Sequence, residues 1–143
     1  MVLTSTWFVQ EGSAADARRP ELEASLKDAI HHHVHPKARV AILWITVPHG
    51  NGYAAGKPSR STIVQVGVPD GFSQPGREAL MRDLNDRVCR ITGHAPSELM
   101  IGATDQSPGR KMLKTIFGQI PLNQKPRFLM DHLPQVIRSL TAH

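Results

Sequence analysis

Four histidines, His31, His32, His33 and His35, form the densest ionisable cluster in the chain, and His31 and His35 stand one helical turn apart. That spacing suits a pair of metal ligands. A third ligand is not evident nearby, and imidazoles at a helix C-terminus are favoured by the helix dipole. The cluster therefore reads as a solvated helix end, and no metal or other cofactor is expected. A second group is cationic: Lys57 and Arg60, with Arg110, Lys111 and Lys114 further along. Arginine and lysine together supply charge and directed donors to a carboxylate or phosphate, and scattered surface charge is the competing reading. The run GKPSR at 56–60 is not a phosphate-binding P-loop, because the first glycine and the following helix are both missing. No Ser–His–Asp or Cys–His arrangement can be located from spacing.

The elements that must position these groups are organised around Val40–Val68. Two apolar runs, VAILWITV at 40–47 and STIVQVGV at 61–68, flank PHGNGYAAGKPSR. The first run lacks polar alternation and predicts a strand buried on both faces, central in a sheet. Pro48 removes a backbone donor, and Gly50, Asn51 and Gly52 tolerate positive φ, so the ladder should stop there. The loop that follows carries Tyr53, Lys57 and Arg60, and loops of its length are often functional. Upstream, residues 3–11 predict a first strand. Leu22, Leu26, Ile30 and Val34 give a helix from Pro20 to about His33 one apolar stripe. Downstream, Ser73 and Gly93 bracket a helix over 74–92 with Leu80, Leu84, Val88 and Ile91 inward, and Leu99–Ala103 predicts a last strand. Beyond it only RFLMDHL and PQVIRSL look helical, separated by Pro134.

The pattern is strand–helix–strand twice, an internal repeat. It predicts an α+β fold in one domain, 1–143: a first β-α-β unit at 1–48, a second at 61–105, and a C-terminal tail with short helices at 106–143. Right-handed crossovers place both helices on one face of a four-stranded mixed sheet. The other face, still apolar, then predicts self-association. At 143 residues the chain can bury a sufficient core without disulfides, and the single Cys89 fits a reducing compartment, so the cytoplasm is the expected location. No secretory leader is recognisable, and no apolar run reaches the ~20 residues of a membrane helix. A formal charge of +5 biases the chain toward anions, but 5% aromatic content provides poorly for stacking on bases, which disfavours nucleic acid.

The doubled order, together with VPHGNGYAAGK at 47–57, APSELMI at 95–101 and FGQIPLNQKP at 117–126, resembles the tautomerase superfamily over about residues 3–121. The similarity is to the longer members grouped with cis-3-chloroacrylic acid dehalogenase and malonate semialdehyde decarboxylase. It implies the tautomerase fold and a homotrimer, with three sheets forming an inner barrel and active sites near subunit boundaries. Catalysis in that family depends on an amino-terminal proline, a secondary amine whose pKa an apolar, cationic pocket lowers into the range of a neutral-pH base. Here the first residues are Met1, Val2 and Leu3, with Leu3 aligned near the proline position. A primary amine on Met1, or on Val2 after methionine removal, is what could stand in. His31 is the nearest match to a functional histidine of the relatives. Their paired arginines correspond to Pro69, Asp70 and Ser73, and their water-activating glutamate falls near Lys114 or Thr115. The resemblance thus implies little or no tautomerase or dehalogenase activity. What remains is a basic pocket for a small carboxylate where the strand start at Leu3, the loop with Tyr53, Lys57 and Arg60, and the tail at Lys114 meet at a subunit boundary. An isomerase using a primary amine and a nucleic-acid-binding module are the alternatives.

Overall fold

The computed structural model describes residues 1–141, apart from the side chains of residues 113 and 116; the final two residues of the expected tail lie outside the described residues. Strand β1 spans Val2–Gln10. A one-turn helix α1, Ala14–Ala17, occupies the polar turn that follows, and α2 runs Arg19–His33. Strand β2 spans Arg39–Val47, and the long loop folds into a small hairpin of β3, Tyr53–Ala54, and β4, Lys57–Pro58. Strand β5 covers Thr62–Val68, α3 Gln74–Thr92 and β6 Leu99–Asp105. The chain ends in α4, Gln106–Gln119, and α5, Lys125–Thr141. Ser73 caps α3 by accepting from the Gly76 N–H at 3.2 Å, and Gly93 closes it at φ 73°, a conformation glycine adopts without penalty.

The strand order is β2-β1-β5-β6. β1 runs parallel to β2 and antiparallel to β5, and β5 runs parallel to β6. Both crossovers pass over one face. There Leu22, Leu26 and Ile30 of α2 and Leu80, Leu84 and Val88 of α3 pack on Leu3, Trp7, Val9, Ile42, Trp44, Val64 and Val66. The two indoles pack against each other with centroids 4.9 Å apart and planes tilted by 39°. Their N–H groups are satisfied within the core, Trp7 by Ser5 Oγ at 3.0 Å and Trp44 by Glu23 Oε1 at 2.7 Å.

Two expectations differ from the structure. The run VAILWITV is the edge strand β2, not a central one, and its burial alternates along its length. Its lack of polar residues has another cause: α5 lies along its outer side. Ser139 Oγ accepts from the Ile42 N–H at 2.8 Å and Gln135 Oε1 from the Trp44 N–H at 3.4 Å. Leu43 meanwhile lines an apolar hollow with Phe117, Phe128 and Val136, so α4 and α5 also meet β2 on the second face. The tail is thus a built part of the fold. Helix α5 continues through Pro134 because the i−4 carbonyl that proline leaves unpaired belongs to Met130, on the exposed side. On the β5–β6 half, Ile63 and Met100 remain exposed.

Helices α2 and α3 are tied by charge as well as packing. His33 Nε2 lies 2.9 Å from Asp83 Oδ2, and Arg87 Nε donates to Asp83 Oδ1 at 2.8 Å. The Arg87 hydrogen bond, helped by His33, holds the Asp83 carboxyl below its ordinary value of 3.8.

Two predictions follow from these contacts. Ser139→Ala strands the buried Ile42 N–H and should lower unfolding free energy by about 1–3 kcal/mol in urea titration; an unchanged midpoint would mean that α5 does not seal the edge. Because Asp83 has a depressed pKa in the folded state, its contribution is complete above the ordinary aspartate value and is lost as pH falls through the lower folded value. Melting temperatures of the wild type should therefore drop more steeply between pH 5 and pH 3 than those of Asp83→Asn, and parallel curves would show that the tie contributes nothing.

Candidate functional site

Because β1 is antiparallel to β5, its amino end lies beside the carboxyl ends of β5 and β6 and the first turn of α4. Three groups hold it there. Arg39 N–H donates to the Met1 carbonyl at 3.0 Å, while Gln106 Nε2 at 2.6 Å and Arg110 Nη2 at 3.0 Å donate to the Val2 carbonyl. Gln106 is only 9% exposed, and its Oε1 has no hydrogen-bond partner among the described residues. The backbones approach closely at this point. A Cβ on Gly67 would lie 3.1 Å from the Thr4 carbonyl oxygen and 3.2 Å from Gln106 Oε1. Between them is a small hollow of about 40 Å³ lined by Thr4, Thr6, Gln65, Thr104, Asp105 and Met112, with Gln65 Nε2 donating to Thr104 Oγ1 at 2.7 Å. It suits a small donor group about the size of one water molecule. The arrangement offers an acceptor, hydroxyls and one guanidinium, which is binding chemistry. The one carboxylate lining the hollow, Asp105, is paired with Arg77 Nη2, and no imidazole of the described residues lines it.

The residues singled out in the sequence do not gather in one protomer. Met1 and Val2 are at this mouth, with Met1 59% exposed. Leu3 is 1% exposed, pairs with Val40 in the ladder and belongs to the core. His31 sits at the end of α2, where its Nε2 meets the Ala38 carbonyl at 2.9 Å and fastens the helix end to the approach to β2. Tyr53, 67% exposed, and Lys57 are on the β3–β4 hairpin at the far end of β1, about 26 Å away along a nine-residue strand. Arg60 is near them and lines a hollow of about 600 Å³ with His49, His94 and Glu98. Lys114 is exposed on α4. Gln106 was not singled out in the sequence, since a lone glutamine after a strand carries no spacing signal.

No family model and no curated protein matches the sequence. Solved structures match its fold. The fused 4-OT wild-type symmetric trimer has 18% identity and a TM-score of 0.60, covering 71% of this chain and 84% of its own. Native fused 4-OT has 20% identity and a TM-score of 0.59, with 71% and 85% covered. The protein N1, a member of the cis-3-chloroacrylic acid dehalogenase (cis-CaaD) family, has 10% identity and a TM-score of 0.61, and the match covers 87% of this chain and 96% of that one. The chain has the tautomerase fold.

In this tautomerase-fold chain Asp70 and Ser73, where the sequence resemblance would put paired arginines, have structural work. Ser73 caps α3. Asp70 anchors α4: its Oδ1 accepts from the Ser107 N–H at 3.0 Å and its Oδ2 from the Ser107 hydroxyl. Those hydrogen bonds from Ser107 hold the Asp70 carboxyl below its ordinary range. Thr115, at the position aligned with a glutamate, donates its hydroxyl to the Lys111 carbonyl at 3.0 Å. Among the described residues no group of three or more His, Cys, Asp or Glu side chains is arranged to hold a metal, and no helix is long and apolar enough to cross a membrane.

Proposed function

We propose that this chain is a homotrimeric tautomerase-fold protein that acts without a terminal proline and binds a small carboxylate, with little or no tautomerase or dehalogenase activity. One observation carries the reading: Leu3, which the resemblance puts at or near the proline position, is a core residue of β1 opposite Val40. An amide nitrogen inside a strand ladder has no basic lone pair. Residues 1–19 contain no proline, so no trimming that preserves β1 would expose one. The group that could otherwise polarise a substrate, Arg110, is engaged with the Val2 carbonyl.

Self-association is supported by the exposed Ile63 and Met100 on the sheet and by the trimers among the similar structures. A trimer also gives the carboxylate site its second half. The hairpin residues Tyr53, Lys57 and Arg60 of one protomer would face the amino mouth of the next, with Lys114 on the neighbouring helix. In such a partly closed mouth unpaired cations are costly, which favours an anion. A primary amine at Met1 or Val2 gives the second reading, slow enol–keto isomerisation, favoured by the exposure of Met1 at that mouth. Nucleic-acid binding is less well supported, since both tryptophans are buried in the core and only Tyr53 offers a fully exposed ring.

Light scattering at micromolar concentration should give three times the 15.8 kDa chain mass, and ketonisation of phenylenolpyruvate should be undetectable. Val2→Pro, with Met1 removed, should introduce measurable turnover. A monomeric mass would remove the intersubunit site, and wild-type turnover matching that of ordinary tautomerases would mean that another group is the base.

A further inference from the structure

We propose that the trough between α2 and α5 binds an amphipathic anion, an apolar chain ending in a carboxylate. The trough is a separate feature from the amino mouth, and the inference does not rest on the function proposed above. It has a volume of about 770 Å³ and runs along the outer side of β2. One wall is the face of α2 that carries Pro20, Ala24 and His31, residues that recur at helical spacing over about 16 Å. The other wall is the last turns of α5, Arg138 to Leu140. Ala24 presents only a methyl group, and Pro36, Ala38, Val40 and Leu140 add further apolar surface, so an apolar strip runs between the charged groups that rim the trough, Glu23, Lys27 and Asp28 on α2 and Arg138 on α5.

Charge is distributed unevenly along it. Midway, Glu23 is 8% exposed and already committed: its Oε1 accepts from the Trp44 indole at 2.7 Å and lies 3.9 Å from Arg138 Nη2. His31 is engaged with the Ala38 carbonyl. The end nearest the start of β2 differs, because Lys37 and Arg39 both line it, with Lys27 and Asp28 on the adjoining wall of α2. Arg39 Nη2 donates to the Leu140 carbonyl at 3.3 Å, which holds the guanidinium across that end. A bare inorganic anion would leave the apolar length unused, and a neutral chain would leave the cations unmatched. A carboxylate head at Lys37 and Arg39 with its chain lying over Ala24 matches both features.

The test is calorimetric titration of the full chain with decanoate, acetate and decyltrimethylammonium. Decanoate should bind at least about tenfold more tightly than acetate, and the ammonium amphiphile should not bind. Ala24→Phe, which fills the trough, and Lys37→Glu, which reverses the charge at its end, should each weaken decanoate by about tenfold, whereas Arg82→Glu on the outer side of α3 should not. Circular dichroism checks folding, and if Ala24→Phe does not fold, the exposed Lys37→Glu variant carries the test. Equal binding of decanoate and acetate, binding of the cationic amphiphile, or variants with wild-type affinity would overturn the proposal. So would a wild type that ignores decanoate while Ala24→Phe changes the oligomeric mass, since the trough would then be an interface between copies.

Discussion

The antiparallel pairing of β1 with β5 is the constraint on which the rest of the molecule depends. It joins two β-α-β units head to tail, so that Ser5 faces Val66 and Phe8 faces Ile63 across the middle of the sheet. Each unit alone is too small to bury its apolar face; paired, they put α2 and α3 side by side over one continuous core. The same pairing sends the starts of the two units to opposite ends. Val2 therefore sits among α4 residues, while Thr62, the equivalent start of the second unit, sits near Arg60 and touches His94 Nε2 at 3.2 Å. The wide separation of the candidate binding residues within one protomer is a direct result.

The pairing leaves β2 at an edge, and an open nine-residue edge is a template for unwanted strand addition. The chain covers it with a helix. Ser139 and Gln135 replace the missing strand by offering side-chain acceptors to outward N–H groups, and Ser139 in turn donates to the Val136 carbonyl at 2.7 Å. That seal also creates the trough: α5 stands off from α2 by the width of β2's outer side, and short residues at Ala24 and Ala38 leave the space unfilled.

At the amino end of β1, the polar groups are tied into structure. Asp70 and Ser107 fix the first turn of α4, and Gln106 and Arg110 reach from that helix to the Val2 carbonyl. The consequence is a rigid, polar mouth with one buried acceptor left over. Buried polar atoms are normally paired, so an unmatched one at this point is consistent with a binding role.

The amino-acid order by itself determined the local elements. The leucine stripe of α2, the Ser73 and Gly93 caps of α3 and the doubled strand–helix–strand order are set by side-chain periodicity and backbone preference, which act over a few residues. The absence of proline from residues 1–19 was equally legible. Strand order was not. VAILWITV reads as central because an apolar run records how much of a strand is covered, not whether a strand or a helix covers it. Only the tertiary structure revealed that α5, passing through Pro134 with the freed carbonyl on its exposed side, is the cover. Nor could spacing show that Gln106, 104 residues from Val2, would meet it, because that contact depends on how the two units pair. Local sequence fixes what each segment prefers, and long-range pairing decides which segments share a surface.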